Sequence, residues 1–158
     1  MKKYLVLFTL FGCGFTPMFS DNKTDIYVPV VQGSGINGIE LRNALNSKFG
    51  GQKSETAPYT LVVSLNAPET KYKALERTGV ATWQEIILRA NYTLKAGDTV
   101  ISSGTEIASE SYTFVRYLVA ANASYNNAVS NTINVLADKI SSRAIAEVAE
   151  YEQNAKTK

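Results

Sequence analysis

Apolar and polar residues alternate through most of residues 86–95, which is the clearest periodic pattern in the chain. The apolar positions of this segment include Ile86, Leu88, Ala90, Tyr92 and Leu94. The polar positions are Arg89, Asn91, Thr93 and Lys95. A period of two predicts a β-strand with one face in the core and one face in solvent.

Two neighbouring segments repeat this pattern less regularly. The alternation from Tyr59 to Asn66 predicts a strand that precedes the central one. A tight turn at Ala96-Gly97-Asp98 leads into a strand that begins near Thr99 and extends towards Phe114. We expect a bulge in this last strand around Gly104. The three strands are expected to form an antiparallel sheet.

Two other parts of the chain contribute an edge strand and a connection. The segment from Asp25 to Val31 is rich in β-branched residues but contains Pro29, which has no N–H to donate. We therefore expect this strand at the edge of the sheet. Residues 68–80 are polar and are expected to form a connection.

Apolar residues recur at helical spacing in two segments. The first predicted helix spans about Gly38 to Phe49, with Asn37 as N-cap and Glu40 completing a capping box. The second spans about Tyr125 to Glu152, and Asn122 or Ser124 is its expected N-cap. Its apolar stripe comprises Val129, Ile133, Leu136, Ile140, Ala144 and Val148.

The predicted order of elements is therefore β-α-β-β-β-α. Both amphipathic helices need an apolar surface, and only one face of the sheet is apolar. The pattern predicts a two-layer α+β fold, with two helices packed on one face of a four-stranded mixed sheet. Residues 25–153 would form this single domain, residues 154–158 would form a polar tail, and the other sheet face would stay open.

The first residues of the chain have the pattern of an export signal. Lys2 and Lys3 precede an apolar run from Tyr4 to Phe11, which is too short to span a bilayer. Leu10-Phe11-Gly12-Cys13 looks like a lipobox, after which residues 1–12 would be removed and Cys13 acylated. Residues 13–24 would then be the lipidated N-terminus and tether. The absence of Asp after the cysteine, where Gly14 stands, favours the outer membrane.

One residue departs from the lipobox pattern and leaves an alternative open. Phe11 is bulky where lipoboxes usually carry a small residue. The segment is therefore also compatible with an ordinary signal peptide that contains a chance cysteine, or with a short anchor.

Charge and composition exclude several classes of function. Lys2 and Lys3 lie in the predicted signal, so the 16 basic residues of the chain fall to 14, which equals the 14 acidic residues. This balance gives no indication of nucleic-acid binding. The chain has no His, and its one Cys is the predicted acylation site. We expect no enzyme activity, metal or cofactor, although a Ser–Lys or paired-carboxylate hydrolase stays formally open.

A glycine-rich segment matches the dinucleotide-binding pattern G-x-G-x-x-G. It comprises Gly33, Gly35 and Gly38 and lies between a predicted strand and a predicted helix. The next predicted strand, however, ends at Asn66 without an acid placed to bind a ribose. The later strands also alternate like an antiparallel sheet, and the chain carries an export signal. We therefore interpret these glycines as residues that let the chain turn.

Three stretches resemble the family of the lipopolysaccharide-assembly lipoprotein LptE in its alphaproteobacterial form. The residues from Cys13 to Phe19, read as Cys-Gly-Phe-Thr-Pro-Met-Phe, look like the start of the mature family members. The segment from Trp83 to Leu94 is similar to the family's central strand. Residues Leu136 to Arg143 look like part of its C-terminal helix.

The resemblance implies a fold, a location and partners. The fold would be two helices on a four-stranded sheet, in an outer-membrane lipoprotein that faces the periplasm. Its role would be to plug the large LptD β-barrel, help that barrel assemble, and bind lipopolysaccharide on its way to the surface. The family has no catalytic residues to transfer. The alternative is a generic envelope lipoprotein that acts as an accessory or brace for another outer-membrane or secretion complex.

Five basic residues are candidates to contact lipopolysaccharide phosphates or anionic residues of the barrel. These candidates are Lys71, Lys73, Arg77, Arg89 and Lys95. Alternatively, they are ordinary solvated charges, balanced by Glu69, Glu76 and Glu85. Among the aromatic residues, we expect Tyr92 in the core, whereas Tyr72, Tyr117 and Tyr125 are candidate interface anchors.

Overall fold

The structure is a computed structural model that describes residues 25–33, 35–75, 81–113 and 117–157. Its elements are β1 (Ile26–Tyr27), α1 (Gly35–Lys48), β2 (Tyr59–Leu65), β3 (Glu69–Leu75), β4 (Ala81–Ala96), β5 (Thr99–Thr113) and α2 (Leu118–Lys156). The predicted signal peptide, Cys13 and the tether lie outside the described residues, as do Glu76 and Arg77. No helix within the described ranges has the length and apolar composition needed to cross a membrane.

The long strand β4 is the centre of the sheet. It pairs antiparallel with β5 along one side, from Ala96 opposite Thr99 to Trp83 opposite Thr113. Along its other side it pairs antiparallel first with β2 and then with β3. The short strand β1 pairs in parallel with β2 at the sheet edge, as expected, but it ends at Tyr27 and does not extend through Pro29 to Val31 as predicted. The predicted α+β fold of two helices and a mixed sheet is confirmed.

Both helices bury their apolar stripes against one face of this sheet. All six predicted stripe residues of α2 are buried, and so are Leu41 and Leu45 of α1. The sheet contributes the apolar alternation of β4, and only 4% of Tyr92 is exposed, which confirms its place in the core. Gly104 lies directly opposite Tyr92, and a Cβ at Gly104 would be 3.1 Å from the tyrosine ring.

The bulge in the β4–β5 pair lies elsewhere than predicted. The register shifts between Leu94 and Lys95, which face Ser102 and Val100, close to the turn that joins the strands. The prediction of a bulge around Gly104 is therefore wrong. The glycine is needed there for a different reason, because the Tyr92 side chain fills the space that a larger residue would occupy.

The predicted polar connection over residues 68–80 is also wrong in its first half. Residues Glu69–Leu75 form β3, which pairs with β4 from Ile87 to Ala81. The side chains from Glu69 to Ala74 are all exposed. Because Tyr72 and Ala74 are exposed, the segment from Glu69 to Ala74 lacks the alternation that marks a half-buried strand.

Both helices begin earlier than the candidate N-cap residues predicted. Helix α1 starts at Gly35, so Asn37 lies within its first turn and the predicted capping box is wrong. Helix α2 starts at Leu118, and its N-cap residue Tyr117 makes no side-chain cap hydrogen bond. The predicted caps Asn122 and Ser124 are therefore wrong as well. The C-terminal end of α2 extends to Lys156, into the segment predicted as a polar tail.

Candidate functional site

The sheet face opposite the helices is the first candidate surface, and we call it the open face. Residues directly opposite each other in antiparallel strands share a face. The odd-numbered residues of β4 from Trp83 to Lys95 therefore lie on the open face, together with Lys71, which is opposite Glu85. Trp83 and Ile107 expose apolar side chains on this largely polar face, whereas Ile87 is buried.

The open face holds four of the five basic candidates. Lys71 lies opposite Glu85 and Lys73 pairs with it, while Arg89 lies four residues further along β4, about 13 Å from Glu85. Lys95 is ten residues further along β4 from Glu85, which is about 33 Å at the rise of an extended strand. The predicted group thus forms one cluster of three cations and a separate lysine, while Arg77 lies outside the described residues.

Carboxylates from adjacent strands balance this cluster. The Lys73 Nζ atom is 2.7 Å from Glu85 Oε2, and the Arg89 Nε atom is 3.7 Å from Glu69 Oε1. The hydrogen bond from Lys73 lowers the pKa of the Glu85 carboxyl, and the charge of Lys71 acts in the same direction. Two of the three acids expected to balance the candidate cations therefore do so.

A group of exposed apolar side chains lies at one end of the sheet, and we call it the apolar end. Its members are Tyr72, Trp83, Tyr117, Leu118 and Val119, which are between 53% and 83% exposed. Strand β5 ends at Thr113 opposite Trp83, and α2 begins five residues later, so these side chains belong to the same end. Grouped exposed apolar residues are typical of an interaction surface.

The apolar end includes two of the three predicted aromatic anchors. Tyr72 and Tyr117 are exposed, whereas Tyr125 is half-buried, with its ring centroid 6.1 Å from that of Tyr112. Trp83, Leu118 and Val119 were not among the predicted anchors. The exposure of Trp83 could have been predicted, because this residue is in phase with the polar, solvent-facing positions of β4.

A polar cleft of about 370 Å³ separates the last residues of β5 from the first half of α2. It is lined by Glu110, Ser111, Tyr112, Thr113, Ser124, Asn127, Ala128 and Asn131. The Tyr112 hydroxyl donates a 2.6 Å hydrogen bond to Gln84 Oε1, which fixes the ring at the base of this region. No sequence motif indicated this cleft, since its lining combines the end of β5 with the first half of α2 and depends on how the helix packs against the strand.

Comparison with known proteins adds information about the fold. No protein-family model matches the sequence, and no curated protein sequence matches it either. A candidate lipoprotein from Caulobacter crescentus CB15 is 19% identical, with a TM-score of 0.64 over 80% of this chain and 92% of that one. Rare lipoprotein B from Shewanella oneidensis is 16% identical, with a TM-score of 0.60 over 83% of this chain and 98% of that one.

A third solved structure agrees with these two. Protein XCC0632 from Xanthomonas campestris is 12% identical, with a TM-score of 0.64 over 87% of this chain and 92% of that one. The chain shares the fold of rare lipoprotein B. At these identities the comparison concerns the arrangement of helices and strands and not the role of individual residues.

The glycine-rich segment has a packing role in this fold. Gly33 has a φ of +82°, and a Cβ there would lie 2.5 Å from the carbonyl oxygen of Leu65. A Cβ at Gly38 would lie 2.8 Å from the carbonyl oxygen of Gly33. Gly33 and Gly38 thus let the turn before α1 pack closely against the end of β2 and against the start of the helix, while Gly35 adopts a φ of +50°, so backbone geometry accounts for the dinucleotide-like pattern.

The described residues offer no metal-binding constellation. No group of three or more His, Cys, Asp or Glu side chains in the described ranges is arranged to hold a metal ion. The described surfaces present ion-paired polar strands, exposed aromatic rings and a hydroxyl- and amide-lined cleft.

Proposed function

We propose that this chain is an outer-membrane lipoprotein, anchored through acylated Cys13 on the periplasmic side. In this proposal it plugs an LptD-like β-barrel, helps that barrel assemble, and binds lipopolysaccharide during its transport to the cell surface. The observation that carries the proposal is the combination of a fold shared with rare lipoprotein B and a long sheet with one open face. The lipobox-like segment at Cys13 supports the anchor.

The open face has the chemistry expected of a surface inside a β-barrel. The interior of an outer-membrane barrel is polar, so a plug needs a surface that tolerates water and fixed charges. The cations Lys73 and Arg89 meet this requirement because they are paired with Glu85 and Glu69. Such exposed pairs contribute only about 0–1 kcal/mol, so a partner's charges can replace them at little cost.

The dimensions of the sheet also suit a plug. Strand β4 has 16 residues, which corresponds to about 50 Å. The apolar core of a bilayer is about 30 Å thick. A sheet of this length could enter a barrel at one end while the other end stays in the periplasm.

The apolar end is the part of the surface that most needs a partner. Trp83, Leu118 and Val119 expose large side chains at this end of the sheet, and their removal from water would favour association by about 25 cal/mol per Å². We propose that this end contacts the barrel wall, while the basic candidates Lys71, Lys73, Arg77, Arg89 and Lys95 contact lipid phosphates or acidic residues of the barrel. The proposal assigns no catalytic residue.

The basic cluster yields a direct test of lipopolysaccharide binding. A triple variant with Lys71→Ser, Lys73→Ser and Arg77→Ser is expected to bind purified lipopolysaccharide about tenfold more weakly, since charge-assisted contacts to phosphate would be lost. Such a change corresponds to about 1.4 kcal/mol. The measurement is the dissociation constant of the full chain in detergent micelles.

A matched variant separates specific contacts from net charge. Lys48→Ser, Lys53→Ser and Lys156→Ser remove the same charge from α1, α2 and the loop after α1. This control is expected to bind lipopolysaccharide within about twofold of the unchanged protein at 0.15 M salt, where distant charges are screened. Equal loss in both variants, or no loss in the first, would rule out the basic cluster as a phosphate site.

A further inference from the structure

Strand β5 has one side without a partner strand in the part of the chain that the structure describes. Two hydrogen bonds establish which of its backbone groups point outward. On the far side of β4, the Asn66 N–H donates to the Arg89 carbonyl oxygen at 2.9 Å. Arg89 is opposite Ile107, and the Lys139 ammonium donates to the Ile107 carbonyl oxygen at 2.7 Å from outside the sheet.

The outward direction alternates along the strand. In an antiparallel pair, the N–H and C=O of one residue point to the same side, and successive residues point to opposite sides. The backbone N–H and C=O groups of Ile107 point away from β4. Those of Ser109, Ser111 and Thr113 therefore point away from β4 as well. Among the residues that the structure describes, Lys139 donates to this edge at Ile107 alone, so the edge beyond Ile107 is a template for another strand.

The polar cleft lies directly beside this template. Its floor is formed by residues Glu110 to Thr113 of β5, and its other wall by Ser124, Asn127 and Asn131 of α2. Among the described residues, the Glu110 carboxylate has no cation within ion-pair distance, unlike Glu85, Glu106 and Glu69. Hydroxyl and amide groups line the space, which disfavours an apolar ligand, and the carboxylate disfavours a phosphate.

We propose that this cleft binds an extended segment of a partner protein by strand addition to residues 109–113. The outward backbone groups of Ser109, Ser111 and Thr113 supply the main-chain hydrogen bonds. A basic side chain of the segment pairs with Glu110, because residues opposite each other on adjacent strands share a face. The inference goes beyond the proposed function, because the site and its preference for a basic side chain do not depend on the partner being a β-barrel.

Two synthetic peptides test this site in the full chain held in detergent micelles. Both are blocked, seven residues long, and alternate threonine and valine around a central residue, which is lysine in one and glutamate in the other. The lysine peptide is expected to bind at least tenfold more tightly, as measured by fluorescence anisotropy. Glu110→Gln is expected to abolish this preference. Equal binding of the two peptides to the unchanged protein would overturn the proposal.

A proline substitution tests the backbone contacts separately. Ser111→Pro removes an outward N–H, and proline is tolerated at such positions of an edge strand because the N–H is not used by the sheet. This variant is expected to lose at least tenfold in affinity for the lysine peptide, whereas Ser111→Ala keeps the N–H and stays within about threefold. An equal effect of the two substitutions would contradict strand addition.

Hydrogen exchange gives a readout that needs no substitution. In the free protein, the amides of Ser109, Ser111 and Thr113 are expected to exchange faster than those of Ala108, Glu110 and Tyr112, which point towards β4. The lysine peptide is expected to protect the first three by at least tenfold. Unchanged exchange at these three amides in the presence of saturating peptide would overturn the proposal.

Discussion

Replacing Leu136 with alanine is expected to lower the free energy of unfolding by about 2–5 kcal/mol. The Leu136 side chain is fully buried in the layer between α2 and the sheet. Its truncation removes apolar surface from the core and leaves a cavity, because the neighbouring side chains relax only partly. Urea unfolding followed by circular dichroism measures the change, with the slope m expected to stay constant.

The adjacent residue of the same helix provides the control. Val135 is 41% exposed, so Val135→Ala is expected to cost less than about 1 kcal/mol while it changes helix propensity in the favourable direction. A comparable loss in both variants would mean that the helix does not present the Leu136 side of its surface to the sheet. That result would contradict the packing on which the open face depends.

The second large effect is expected at Gly33. Gly33→Ala should destabilise the protein by more than about 2 kcal/mol, because two costs add. The left-handed backbone conformation, with a φ of +82°, costs about 1–2 kcal/mol for a residue with a Cβ. In addition, the Cβ would lie 2.5 Å from the Leu65 carbonyl oxygen, so the turn before α1 and the end of β2 would have to move apart.

Gly35 separates the two costs. Its φ is also positive, at +50°, but a Cβ there would meet nothing within 4 Å. Gly35→Ala is therefore expected to cost only the conformational part, about 1–2 kcal/mol, and Gly35→Asn less, since asparagine tolerates this conformation better. If thermal unfolding showed the same loss for Gly33→Ala and Gly35→Ala, the close contact with Leu65 would not exist.

The sequence predicted well those elements that the core constrains directly. The alternation around Tyr92 identified β4, and the stripe that contains Ile140 identified α2, because burial of apolar side chains determines both patterns. Strand β3 was not predicted because its side chains from Glu69 to Ala74 are all exposed and show no apolar alternation. Its position depends on pairing with β4. The first residues of α2 were not predicted to be helical for a related reason, because Leu118 and Val119 are apolar but exposed.

The candidate surfaces were predictable only within a single strand. A period of two places Arg89 and Lys95 on the polar face, as the structure has them. The association of Lys71 and Lys73 with Glu85, and the distance of Lys95 from them, depend on strand register, which local sequence does not encode. The cleft beside Glu110 could not be predicted at all, since it requires α2 to lie over a particular stretch of β5.

The most direct test of the proposed function is to identify what co-purifies with the chain. A C-terminal tag would be added, outer membranes solubilised gently, and the purified material analysed by mass spectrometry. The proposal predicts a large β-barrel of the LptD type in stoichiometric amount, together with lipopolysaccharide. Recovery of the chain alone, or with a different envelope complex, would contradict the proposed role as a plug and leave only an envelope lipoprotein with another partner.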